Sequence, residues 1–182
     1  VCPRCVTPLS NFEVTLGYKD VTDESVISQF KLDGSNEYIL AWTTTPWTLP
    51  GNVALAVGPK IDYIKVELAD GDKLIVGKAK LDLIRGEYKI IEKLKGKDLV
   101  GLEYEPLYDI KELQNENSHK VILADFVTTG EGTGVVHTAG MYGEVDYDVC
   151  KETNLPLVHT VGQDGKFLDI TPKFLRGKFV KS

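Results

Sequence analysis

Residues 38 to 52 read Tyr38-Ile39-Leu40-Ala41-Trp42-Thr43-Thr44-Thr45-Pro46-Trp47-Thr48-Leu49-Pro50-Gly51-Asn52. Up to Thr43, Tyr38, Leu40 and Trp42 alternate with Ile39 and Ala41, the two-residue period of a strand. Pro46 forces Thr45 into extended backbone, so the strand ends there and a turn bounded by Pro46 and Pro50 begins. Thr43, Thr44 and Thr45 therefore stand together at a strand end and offer hydroxyl donors and acceptors in a small space. Hydrolysis of an activated ester needs little beyond a positioned water and support for the developing oxyanion. The same residues also read as a plain edge strand in which Thr is favoured for its branched Cβ.

Outward from this stretch, most segments read as short strands. Tyr63 to Leu68 is followed by Asp70-Gly71-Asp72 and Lys73 to Val76, a hairpin signal. Gly162-Gln163-Asp164-Gly165 predicts a second hairpin between Leu157–Val161 and Lys166–Leu168. Val121 to Val127 and Gly134 to His137 are predicted to pair across a Gly-rich loop. Helices are few: Lys78 to Ile84, and Gly143 to Thr153 with acids in its first turn, where the helix dipole favours them. Lys89 to Lys97 reads as a solvated strand and turn, since Glu92 and nearby acids dilute its charge. The expected fold is β-rich α/β, a β-barrel core with a few peripheral helices.

The bulk numbers fit one domain over 1–182. The chain is 42% hydrophobic and 26% charged, as in an ordinary globular protein. Its apolar runs, such as Val53 to Val57, fall far short of the ~20 residues that span a bilayer, so no membrane association is expected. The net charge of −6 argues against tight autonomous binding of nucleic acid. Three cysteines without an even framework point to a reducing, cytoplasmic setting. The chain does not open on Met, and reads as a piece of a longer protein or a processed one. A monomer is expected.

A second stretch carries chemistry. Residues 132 to 148 read Gly132-Thr133-Gly134-Val135-Val136-His137-Thr138-Ala139-Gly140-Met141-Tyr142-Gly143-Glu144-Val145-Asp146-Tyr147-Asp148. A strand ends at His137, and an acidic helix start brings in Asp146. The two side chains are placed to converge at the mouth of a barrel. Each also has an ordinary reading, a structural strand-end His and a helix-capping acid. No P-loop, Ser-His-Asp order or HExxH is present, and no nucleophile is paired with a base, so any hydrolysis here is expected to use water directly.

These two strings resemble the editing domain of isoleucyl-tRNA synthetase, the class I insertion called connective polypeptide 1. The first matches the family's Trp-Thr-Thr-Thr-Pro-Trp-Thr-Leu-Pro-Gly-Asn motif. Valyl and leucyl relatives instead carry Arg where Thr45 stands and an acid where Trp47 stands. The second is similar to Gly-Thr-Gly-x-Val-His-x-Ala-Pro-x-x-Gly-Glu-Asp-Asp-Tyr. Gly140 departs from its Pro, which is expected to loosen the loop, and Val145 departs from its first Asp. Further similarity covers Gly17-Tyr18-Lys19-Asp20-Val21 and Asp125-Phe126-Val127. The synthetic signatures His-x-Gly-His and Lys-Met-Ser-Lys-Ser are absent.

The resemblance implies the editing-domain fold of the valyl, isoleucyl and leucyl synthetases, and hydrolysis of valine misattached to the isoleucine tRNA. It implies a catalytic set of Thr43, Thr44, Thr45 and Asp146. Asp146 would bind the amino acid's ammonium, and the threonines would position water and ester. The implied substrate-binding set is Trp42, Trp47, Asn52, Thr133 and His137. In it Trp47 walls the pocket, Asn52 supports the Thr loop and His137 excludes isoleucine. Implied partners are the 3′ end of the aminoacylated tRNA, its valine moiety and the rest of the synthetase. A silent module that binds the tRNA 3′ end, and an editing domain of a valyl or leucyl relative, are the competing expectations.

Cys2-Pro3-Arg4-Cys5 supplies two zinc ligands, where a structural site takes four. In the resembled family a distant second pair completes the site. No cofactor and no stable zinc are therefore expected of this chain alone.

Overall fold

A computed structural model describes residues 2–20, 22 and 24–181. Val1, and Val21 of the Gly17 to Val21 stretch, lie outside the described residues. After a short capped helix α1 (Asn11–Leu16), the chain forms strands β1 (Val26–Lys31), β2 (Glu37–Thr43), β3 (Ala54–Val57), β4 (Asp62–Leu68), β5 (Lys73–Gly77) and β6 (Tyr88–Lys95). Helix α2 (Gly96–Leu99), β7 (Lys120–Leu123), β8 (Val135–Thr138) and helix α3 (Glu144–Glu152) follow.

The strands make one sheet in the order β6-β4-β5-β2-β8-β3-β7, with β1 on β2. Strand β2 is its fork. Antiparallel β1 runs along it from Tyr38 to Thr43, while β5 pairs parallel at Glu37 to Ile39 and β8 parallel at Trp42. A strand bonded on both edges and buried on both faces must be apolar throughout, and Ile39, Leu40 and Ala41 meet that demand.

The sheet curls around one core. Phe30, Ile39, Leu55, Tyr63, Ile75 and Val121 come from six strands and pack in a single cluster. Helix α2 touches both β6 and β7, the two ends of the sheet path. It can approach because Gly96 carries no side chain: a Cβ there would lie 2.1 Å from the Gly58 carbonyl oxygen. Outside the curl, Leu40, Ile64, Val66, Leu74 and Val76 pack with Leu81 and Ile84. Val53 and Ala54 meet Ile110, Leu113, Cys150 and Leu155. The β-rich barrel-type core with peripheral helices is as the sequence predicts.

Four local expectations change. Strands β7 and β8 do not pair with each other: β3 lies between them, parallel to β7 and antiparallel to β8. The reason is that Ala54–Val57 is wholly buried and takes a central place, with a partner on each edge. The Gly162 to Gly165 turn forms, with Gly162 N–H donating to Lys166 O at 2.8 Å. It joins only isolated bridges, because Lys166 and Phe167 also bond the segment around Lys178 and Phe179. Lys78–Leu83 is 3-10 helix with a kink at Lys80 rather than α-helix. The strand expected over Val121 to Val127 stops at Leu123. The hairpin β4–β5, the exposed strand β6 and helix α3 are as predicted.

Candidate active site

Strand β2 delivers Thr43 to the fork, and the chain then enters a 3-10 helix, Pro46–Gly51. Pro46 at its start sacrifices no helical hydrogen bond. Thr43 Oγ1 accepts from Thr45 N–H at 3.0 Å and lies 3.3 Å from Thr45 Oγ1. One turn on, Thr48 Oγ1 donates to the Thr45 carbonyl at 2.8 Å and lies 2.8 Å from His137 Nε2. Thr43 and Thr48 are buried, whereas Thr44 and Thr45 are exposed at the mouth.

Strand β8 supplies His137 from the opposite side. Its ring is 6% exposed and faces no charged partner. Burial lowers its pKa to about 4, so the imidazole is neutral at pH 7. Asp146 enters on the first turn of α3 and accepts from Ala139 N–H at 3.0 Å through Oδ2. Burial raises its pKa against that bond. Among the described residues Asp146 makes no ion pair. A half-buried carboxylate in this state gains from a cation brought to it.

These side chains line one cavity of about 230 Å³, formed by Trp42, Thr43, Thr44, Thr45, Thr48, Val136, His137, Ala139, Tyr142 and Asp146. That lies below the roughly 300–1,000 Å³ of sites for drug-sized ligands. It suits an aliphatic amino acid, with hydroxyls at one end, a carboxylate at another and Trp42 and Val136 as apolar walls.

Not every expected residue reaches it. Trp47 lines a larger neighbouring cavity of about 690 Å³ with Met141, His159 and Leu168, and its ring stands edge-on to Tyr142 at 5.2 Å. Tyr142 borders both cavities. Asn52 spends its amide within the fold: Nδ2 donates to Ala54 O at 2.9 Å, and Oδ1 accepts from Tyr104 Oη at 2.6 Å. It braces the exit of the 3-10 helix. Thr133 is fully buried in a turn on Val135, away from the cavity.

Thr48, Val136, Ala139 and Tyr142 are the lining residues that sequence reasoning missed. Thr48's signal was its place three residues after Thr45, one 3-10 turn away. Tyr142 lay inside the second quoted string, with no pattern to mark it. Gly140 does not loosen the loop: it is buried, and a Cβ there would lie 2.6 Å from Leu157 Cδ2 and 2.7 Å from Cys150 Sγ. Val145 is 52% exposed and lines neither cavity. At the chain start, Cys2 and Cys5 share a tight turn, and backbone N–H groups of Cys5 and Arg4 pull the Cys2 thiol below its usual range. Among the described residues no cluster of three or more His, Cys, Asp or Glu is placed to hold a metal ion. No described helix is long and apolar enough to cross a membrane.

Solved structures share this architecture. The GlLeuRS-CP1 crystal structure superposes with a TM-score of 0.59 at 19% identity, covering 71% of this chain and 59% of that one. The P. knowlesi cytosolic leucyl-tRNA synthetase editing domain gives 0.57 at 15% identity, covering 76% and 66%. The fold is thus that of aminoacyl-tRNA synthetase editing domains. No family model matches the chain. Isoleucine--tRNA ligase of Clostridium kluyveri is 45% identical over 181 residues, 99% of this chain and 17% of that one. That of Clostridium tetani is 51% identical over 170 residues, 92% and 16%. The chain belongs to the isoleucine--tRNA ligases and spans about a sixth of the length of the relatives it matches.

Proposed function

We propose that this chain is the editing domain of its synthetase, one domain over 1–182, and that it hydrolyses the ester joining valine to the 3′ end of the isoleucine tRNA. The observation that carries this is the convergence of Thr43, Thr44, Thr45, His137 and Asp146 on one small cavity. Asp146 takes the α-ammonium by charge-assisted hydrogen bonds. The Thr43, Thr44 and Thr45 hydroxyls hold the attacking water and the ester oxygen. The neutral His137 ring limits the aliphatic side chain to the size of valine.

Such a second sieve answers a physical limit. One methylene is worth only roughly 1–3 kcal/mol to a binding pocket, and isoleucine against valine is the standard instance. The rest of the cytoplasmic synthetase supplies most contacts to tRNA, in keeping with the net charge of −6 on this chain. Any zinc bound through Cys2 and Cys5 would draw its other ligands from outside this chain.

The test is release of amino acid from valyl-tRNA(Ile) and isoleucyl-tRNA(Ile), with Asp146→Ala beside the unaltered chain. Release of valine alone, lost in the variant, is expected. Equal release of both, or release unaffected by the substitution, would overturn the assignment.

A further inference from the structure

Lys93 and Lys95 stand two residues apart on β6, so they share a face of the sheet. The register sets them opposite Ile64 and Asp62 of β4. On that outer face Ile64 packs with Leu81 of the 3-10 helix that begins at Lys78. The fold thereby brings Lys78, and Lys60 from the turn before β4, beside the two lysines of β6. Two adjoining cavities of about 400 and 220 Å³ hold the group. Lys60, Asp62, Lys78 and Thr129 border the first, and Asp62, Lys78, Lys93 and Lys95 the second.

All four lysines are exposed. Among the described residues Asp62 is the only acid in either lining, and it pairs with Lys95. Glu92 on the same strand is taken by Lys65 at 3.0 Å, and Asp98 caps α2 from the Lys95 N–H at 2.7 Å. Lys60, Lys78 and Lys93 make no ion pair among the described residues. An ordinary solvated face intersperses both signs. Here three ammonium groups gather without a counter-charge, on a chain whose net charge is −6.

The strip leads toward the candidate active site. Thr129 stands at its edge, and Lys80 Nζ, on the same 3-10 helix as Lys78, donates to Gly130 O at 2.9 Å. Three residues on from Thr129, Gly132 packs on Trp42: a Cβ there would lie 2.8 Å from Trp42 Cε3. Trp42 in turn walls the amino-acid cavity.

We propose that Lys60, Lys78, Lys93 and Lys95 form a docking surface for RNA, on which the phosphate backbone of the tRNA acceptor end lies while its 3′ terminus is in the cavity. The identity of the RNA rests on the editing reading above. Ammonium groups on flexible stems suit phosphates, which recur along a strand without one fixed spacing. An acidic face of the synthetase body is the other polyanion such a strip could meet. The run of the strip toward the cavity favours RNA, because the acceptor end must arrive there.

The experiment compares the chain with the triple variant Lys60→Gln, Lys78→Gln, Lys93→Gln. Lys95 is kept, so that Asp62 retains its partner. A control of equal charge carries Lys111→Gln, Lys151→Gln and Lys173→Gln. Hydrolysis of valyl-tRNA(Ile) and of 2′-valyl-adenosine, which has no phosphate, is followed from 50 to 200 mM NaCl. Each phosphate contact adds roughly 0.7–0.9 to the slope of log affinity against log salt. The triple variant should therefore lower the slope for tRNA by about 2–3. It should leave valyl-adenosine hydrolysis unchanged, and the control should alter neither.

An unchanged tRNA slope in the triple variant overturns the proposal, whether the lysines serve the synthetase body or only solvent. An equal fall for valyl-adenosine also overturns it, since the fault would then lie in the cavity or the fold. A chain that hydrolyses neither ester overturns the editing reading instead. Binding of an uncharged acceptor-stem hairpin ending in CCA still decides the surface: lost in the triple variant and kept in the control, it supports RNA docking; equal in both, it ends the proposal.

Discussion

On one side of the cavity, Thr43, Thr45 and Thr48 bond to one another and to His137, and two of the four are buried threonines on a proline-bounded turn. On the other side, Asp146 has a single hydrogen bond, from the Ala139 backbone, and no ion pair among the described residues. The contrast separates two tasks. The threonine and histidine side is bonded within itself apart from His137 Nδ1, and under the proposed function it gives shape. The aspartate side is left without a cation among the described residues, and under the proposed function it gives affinity for a charge that the substrate brings. On the proposed function such a site rejects by fit and binds by charge, and different residues answer for each.

The largest effect that could break this division is on stability with pH. His137 takes its proton near pH 6.5 when unfolded and only near pH 4 when folded. Between those values the unfolded chain holds the extra proton. Stability should therefore be flat above about pH 6.5 and fall as pH drops toward 4, by as much as about 3 kcal/mol from this residue. Denaturant midpoints at pH 7 and pH 4.5 measure it, and His137→Gln should remove this part of the loss. Asp146 opposes it in sign, because its raised pKa favours the protonated acid in the fold and that contribution fades as pH rises.

Asp146→Ala should cost valyl ester hydrolysis about 2–3 kcal/mol, roughly 30- to 150-fold, the worth of a charge-assisted bond. Chain stability should hardly change. The same burial places the acid limb of the unaltered chain's kcat/KM profile above the ordinary carboxylate range, as a rate–pH series would show. His137→Ala should do the reverse: the valyl ester is still hydrolysed, and the isoleucyl ester becomes a substrate by roughly tenfold or more.

Smaller effects sharpen the picture from outside the cavity. Gly140→Ala should destabilise by about 1–3 kcal/mol, since the new methyl meets Leu157 and Cys150. Calorimetry would show the lowered Tm, and equal activity per folded molecule would place the fault in packing. Tyr104→Phe removes the donor to Asn52 Oδ1 and should cost about 1 kcal/mol. Its consequence for selectivity should exceed that for ammonium binding, because Asn52 braces the end of the Thr-bearing turn.

Much of this was legible in the chain itself. The alternation from Tyr38 to Thr43, the Asp70-Gly71-Asp72 turn and the acidic start of α3 each have a local cause, and each formed where expected. The non-local pairings did not show. Nothing in Val121 to His137 says that Ala54–Val57 will slide between its two strands, because that depends on which apolar run is buried on both faces. The site was partly legible for the same reason. Thr43, Thr44, Thr45, His137 and Asp146 sit in two recognisable strings and converge. Asn52 and Thr133 sit in the same strings, but their side chains are consumed by the fold. Trp47 turns to the neighbouring cavity, since a 3-10 turn points adjacent residues in different directions.

The most direct test of the division between shape and charge is a double-mutant cycle in ligand binding. A non-hydrolysable 2′-valylamino-adenosine is compared with its N-acetyl form, on the unaltered chain and on Asp146→Ala. Acetylation should weaken binding strongly to the unaltered chain and hardly at all to Asp146→Ala. Equal loss on both proteins would mean that the ammonium is held elsewhere, and the account of this site would fail.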